Sequence, residues 1–129
     1  KSLKNQTMSI ENLSILVVED NEINMEVIEF MLQSEGAIVY KARNGKEAVE
    51  QFGQIKNLDL ILMDLMMPIM DGYEATLQIR KKDKKIPILA MSANAYMQDI
   101  QKCYQAGMNG HISKPLYLED LKDRIIQII

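Results

Sequence analysis

Leu58-Asp59-Leu60-Ile61-Leu62-Met63 is a nearly unbroken apolar run that stops at Asp64. A strand wetted on one face alternates apolar and polar residues, so a continuous run reads as a strand buried on both faces, as in a parallel sheet. Leu13-Ser14-Ile15-Leu16-Val17-Val18 and Ile86-Pro87-Ile88-Leu89-Ala90-Met91 share that texture, with Pro87 suited to the first residue of a strand. Ala37 to Ala42, mixed through Tyr40 and Lys41, fits an edge strand, and His111-Ile112-Ser113 a short fifth one.

Helical segments lie between these runs. Asn21 or Asp20 can cap a helix carrying Ile23, Val27, Phe30 and Met31 on one face and ending at Gly36. Asn44 with Glu47 resembles a capping box before Ala48, Val49 and Phe52. A third helix is expected over Tyr73 to Lys82 and a fourth over Ala95 to Ala106, stopped by Gly107. Leu118, Leu121, Ile125 and Ile128 form the stripe of a fifth. Strands alternating with helices predict an open, doubly wound α/β sheet covered on both faces.

The 129 residues suit one domain, expected over 13–129 after a polar linker or tail at 1–12. Fifteen basic against eighteen acidic residues give a net charge of −3, which argues against a nucleic-acid surface. The single cysteine, Cys103, has no partner for an internal disulfide and points to a reducing, cytoplasmic setting. No stretch approaches the ~20 apolar residues of a membrane span. The first residue, Lys1, leads us to expect a fragment or processed chain.

In such sheets ligands bind beyond the carboxyl ends of the strands. Glu19-Asp20 follows the first run and Asp64 closes the third. Three carboxylates on one rim repel one another, which raises pKa values or recruits a cation. All-oxygen ligands favour Mg²⁺ over Zn²⁺. Helix capping is the plainer reading of any one of these acids. Lys114, followed by Pro115, and Ser92 stand at two further strand ends, where a lysine can pair with an anion and a hydroxyl can bond it or cap a helix.

Glu19-Asp20-Asn21, Asp64-Leu65-Met66-Met67-Pro68-Ile69-Met70-Asp71-Gly72, Ser92-Ala93 and Lys114-Pro115 resemble, in order and spacing, the receiver domains of two-component response regulators. The resemblance spans about residues 13 to 128. It implies a flavodoxin-like five-stranded parallel sheet in the order 2-1-3-4-5 with five helices, and a cis Lys114-Pro115 peptide. It implies that Asp64 accepts a phosphoryl group from a phosphohistidine. Asp20, Asp64 and the main-chain carbonyl of Met66 would hold Mg²⁺, with Glu19 acting through a water, while Ser92 and Lys114 contact the phosphoryl group. Implied partners are a histidine kinase or a histidine-containing phosphotransfer domain, docking on Ile23, Met25 and Pro115-Leu116-Tyr117. Neither nucleic acid nor membrane contact is implied.

The stretches Met67 to Ala75 and Ala106 to Leu116 resemble receivers fused to hybrid histidine kinases, which makes the C-terminal receiver of such a kinase the expected context. A stand-alone or truncated response regulator is the alternative. A phosphatase forming an aspartyl phosphate would carry a second Asp two residues after the nucleophile, where this chain has Met66. An acidic rim likewise disfavours an FMN phosphate, and no acid, hydroxyl or lysine is missing as in a pseudo-receiver.

His111 stands where many receivers carry Tyr or Phe, and the expectation is a half-buried strand residue without a switching role. Met63, Met66, Met67 and Met70 read as adaptable packing, and Cys103 as inert. Arg80-Lys81-Lys82-Asp83-Lys84-Lys85 reads as a solvated corner at a helix end. Met97, Ile100, Tyr104 and Tyr117 are candidates for a regulated partner surface on the fourth and fifth helices, and a phosphorylation-dependent dimer is a separate expectation. Met66 and Asn94 are candidates for tuning water access to the phosphoryl group.

Overall fold

A computed structural model describes residues 9–93 and 96–129. Five parallel strands, β1 (Ser14–Val18), β2 (Ile38–Ala42), β3 (Leu60–Asp64), β4 (Ile88–Ser92) and β5 (Gly110–Ser113), lie in the order β2-β1-β3-β4-β5. Helices α1 (Glu22–Ser34), α2 (Gly45–Gln54), α3 (Gly72–Arg80), α4 (Met97–Ala106) and α5 (Leu118–Ile128) connect or follow them. β3 and β4 are buried at every residue, as their apolar runs require, and β2 lies at an edge with Ile38, Tyr40 and Lys41 exposed. Asn94, and the predicted helix start at Ala95, lie outside the described residues.

Successive strand residues face opposite sides, and the core divides accordingly. Ile15, Val17, Leu60 and Leu62 pack against α1 and α5, through Ile28, Leu32, Leu121 and Ile125. Leu16, Val18, Ile61 and Met63 pack against the other face, with Ala48, Ala75, Ile79 and Cys103. Asn21 is the cap of α1, its Oδ1 accepting from Asn24 N at 2.9 Å. Asn44 caps α2 by accepting from Glu47 N, and Glu47 Oε1 reaches back to Arg43 N, so the box closes one residue early.

Three expectations need correction. The buried face of α1 is Met25, Ile28 and Leu32, whereas Ile23 and Phe30 are 73% and 74% exposed and Val27 is also exposed. Apolar residues surround this helix, so its periodicity had two solutions, and the sheet selects the other one. Second, the tail reading fails for its described end. Ile10 is fully buried in the core and Asn12 N–H donates to Gly36 O at 2.8 Å. Third, the basic corner is not wholly solvated. Arg80 donates through Nε to Gly107 O (2.8 Å), through Nη1 to Asp83 O (3.0 Å) and through Nη2 to Asn109 Oδ1 (2.9 Å). It ties α3 to the turn before β5.

No helix among the described residues is long and apolar enough to cross a membrane.

Candidate functional site

The register builds the site. Val18 pairs with Met63, so the residues that follow, Glu19 and Asp64, emerge side by side at the carboxyl rim. Ser92 pairs with Ser113, and Lys114 N–H donates to Ser92 O at 2.8 Å, which starts the Lys114 segment at the same edge. The Lys114–Pro115 peptide is cis. Glu19, Asp20 and Asp64 each offer a carboxylate oxygen within 4.8 Å of the others; Glu19 and Asp64 are buried and Asp20 is exposed.

Lys114 Nζ reaches into this group, donating to Glu19 Oε1 at 2.9 Å and to Asp64 Oδ2 at 3.2 Å. Burial opposes the charge on Lys114, but Glu19 and Asp64 outweigh it and hold the lysine above its usual pKa. Asp64 behaves oppositely. Burial and then the neighbouring Glu19 push its pKa up from 3.8 to about 6, against the pull of Lys114 and of the Met66 N–H. Lys114 thus pairs with two of the three acids. The remaining negative charge is what a divalent ion on oxygen ligands would relieve, so this donor set fits a hard cation.

The loop after β3 shapes the nucleophile's side of the rim. Met66 N–H donates to Asp64 Oδ1 at 3.4 Å, and the Met66 side chain is 76% exposed. Ile69 has φ 70, and Met70 N–H donates to Pro68 O at 2.7 Å, a γ-turn with a β-branched residue in the left-handed region. Asp71 caps α3 by accepting from Glu74 N. A Cβ on Gly72 would collide with the carbonyl oxygen of Asp64, so only glycine lets α3 start this close to the strand end.

Two features were not expected from sequence. Ser92 Oγ and His111 Nε2, both buried, share a hydrogen bond of 2.8 Å. The main-chain carbonyl of His111 also accepts from Arg124 Nη1. Beside the acids, a cleft of about 310 Å³ is walled by Glu22, Glu26 and Glu29 of α1 and by Lys41 and Arg43. A second groove, about 390 Å³ and more apolar, runs between Val27, Ile28 and Met31 of α1 and the segment Lys114-Pro115-Leu116. Of the partner contacts expected from sequence, Ile23 and Tyr117 are exposed but Met25 is buried, so Met25 is not available. Cys103 is fully buried, and its burial pushes the thiol pKa up.

Residues 15–126 match the model of the response regulator receiver domain. The chain is 36% identical over 118 residues to hybrid signal transduction histidine kinase L of Dictyostelium discoideum, covering 86% of this chain and 7% of that kinase. It thus spans a small fraction of the curated relatives it matches. Among solved structures, it superposes with TM-score 0.84 and 39% identity on the receiver domain of a sensor histidine kinase from Pseudomonas aeruginosa, covering 91% of this chain and 97% of that one. That neighbour holds a magnesium ion in its active site cleft. Another, at TM-score 0.85 and 30% identity over 92% of this chain and 90% of its own, is the receiver of a Saccharomyces cerevisiae response regulator, crystallised with a histidine phosphotransfer protein.

An acid-rimmed doubly wound sheet with a lysine reaching into the rim is thus a phospho-signalling module. The chain belongs to the response regulator receiver family.

Proposed function

We propose that Asp64 is the phosphoacceptor and that this chain takes a phosphoryl group from a phosphohistidine. The observation that carries the reading is the joint placement of Asp64, Glu19, Asp20 and Lys114 within reach of one another at the rim. In the step, an Asp64 oxygen forms the O–P bond as the donor's N–P bond breaks, and the donor histidine leaves with its electron pair. With a pKa near 6, Asp64 is mostly ionised at pH 7 and needs no base to activate it. Lys114 stands where it can shift from the carboxylates to a phosphoryl oxygen, and Ser92 supplies a hydroxyl donor.

Asp20, Asp64 and the main-chain carbonyl of Met66, with Glu19 through a water, would hold Mg²⁺, as the ion held by the Pseudomonas receiver supports. When bound, the ion neutralises charge on the phosphoryl oxygens. Glu19 already spends one oxygen on Lys114 and the other on Asn21 N–H at 3.2 Å, which favours an indirect role.

The domain acts as a switch rather than as an enzyme on an external substrate, because Met66, two residues after Asp64, has no proton to give. A histidine-containing phosphotransfer domain or a kinase would dock on the exposed face of α1 (Ile23, Val27, Phe30) and the Pro115–Tyr117 segment. The yeast complex supports that class of partner. The C-terminal receiver of a hybrid histidine kinase is the favoured context, given the kinase relatives.

Intact-protein mass after incubation with acetyl phosphate and Mg²⁺ tests the chemistry. One added phosphoryl group, absent from Asp64→Asn and without Mg²⁺, is expected. Uptake that survives in Asp64→Asn would refute the assignment.

A further inference from the structure

His111 enters the reading of the site through Ser92. The register pairs Ala90 with His111 and Ser92 with Ser113. Alternate residues share a face, so Ser92 and His111 are diagonal neighbours on one side of the sheet, close enough for their side chains to meet. They do meet, at 2.8 Å between Oγ and Nε2, with both residues 6% exposed. The histidine backbone is fixed in turn by Arg124 of α5.

A serine hydroxyl has one proton and two acceptor lone pairs, and a phosphoryl group offers only acceptors. The hydroxyl can therefore serve the phosphoryl group only by donating. It keeps its bond to the imidazole in that state only if Nε2 carries the hydrogen and Oγ accepts. A phenylalanine in place of His111 could make no such bond, so the chemistry belongs to this chain's histidine.

We propose that His111 is a positioning residue for Ser92, its Nε2–H holding the hydroxyl oxygen so that the hydroxyl's single proton is directed to the phosphoryl group on Asp64. The proposal rests on the phosphoacceptor reading above. It departs from the sequence expectation that His111 has no switching role. In this role the imidazole acts through the serine hydroxyl.

The test uses the full chain labelled with ¹⁵N, in which His111 is the only histidine, with Mg²⁺ and beryllofluoride as the phosphoryl stand-in. Imidazole spectra of the complex are expected to show Nε2 carrying its proton, in a bond that Ser92→Ala removes. Beryllofluoride affinity supplies a second readout. Ser92→Ala is expected to weaken binding about tenfold in the native background and less than about twofold beside His111→Phe, the loss of one hydrogen bond felt only once. His111→Gln, which retains an amide donor, is expected to restore most of the coupling and separates positioning from mere packing.

An unprotonated Nε2 in a complex that visibly perturbs the Asp64 amide would overturn the proposal and leave the acceptor reading standing. Strictly additive losses from Ser92→Ala and His111→Phe would do the same. Failure of the native chain to bind beryllofluoride at all would bring down the acceptor reading, and this proposal with it.

Discussion

At the base of the sheet Arg80 donates three hydrogen bonds to uncharged oxygens, those of Gly107, Asp83 and Asn109. At the rim Lys114 donates two, both to carboxylates, and a third acid stands beside them. The base is closed: Asn109 Oδ1 accepts from Ile88 N as well, and Asp83 Oδ1 accepts from Lys85 and Ile86 N–H groups. The rim is open, with more negative charge than its one lysine offsets. A satisfied network fixes the fold, whereas an unbalanced one leaves a demand that a ligand can meet.

Substitution at each end separates the two kinds of network. Arg80→Met should lower stability the most, by about 2–4 kcal/mol, because it strands carbonyl acceptors and unties α3 from the turn before β5. Urea unfolding measures it, and Mg²⁺ affinity should not change. Lys114→Met should cost about 2 kcal/mol in metal-free buffer, since it leaves Glu19 and Asp64 facing each other. Added Mg²⁺ should recover part of that loss; an equal recovery in Arg80→Met would erase the contrast. Gly72→Ala forces a Cβ against the Asp64 carbonyl and should cost about 1–3 kcal/mol while also slowing phosphoryl uptake.

Asp64→Asn should act in the opposite direction. The folded chain holds the Asp64 proton more tightly than the unfolded one, about 6 against 3.8. The cost of its ionised form is therefore absent below pH 3.8, grows between there and 6, and is complete above. After allowance for solvent screening, the substitution should stabilise the metal-free protein by about 1–2 kcal/mol at pH 7.5 and by little at pH 4. Thermal melts at the two pH values decide the matter. Smallest of all, Phe30→Ser on the exposed face of α1 should change stability by less than about 0.5 kcal/mol. The same variant should weaken phosphotransfer from a histidine-containing donor.

The same contrast explains what the sequence disclosed. The central strands were legible because two-sided burial leaves a run with no polar break, and the rim because acids, hydroxyl and lysine stand at strand ends. The face of α1 was not: Ile23, Val27 and Phe30 are apolar without being buried, and periodicity cannot tell a buried apolar stripe from an exposed one. Arg80 was hidden in a run of lysines, where nothing marks the one cation whose planar fork meets three carbonyl oxygens. The Ser92–His111 bond was out of reach as well, because it depends on a pairing register between strands joined through α4.

The buried Ile10 has a practical corollary. Leu13, shortly after it, and the final Ile129 line a common cleft with Leu58 and Pro87 at the base of the sheet, away from the acids. Leu13 and Ile129 therefore lie near one another at the end of the sheet opposite the acids. A chain begun at Leu13 would leave a hole in the core where Ile10 sits, and should be less stable for it.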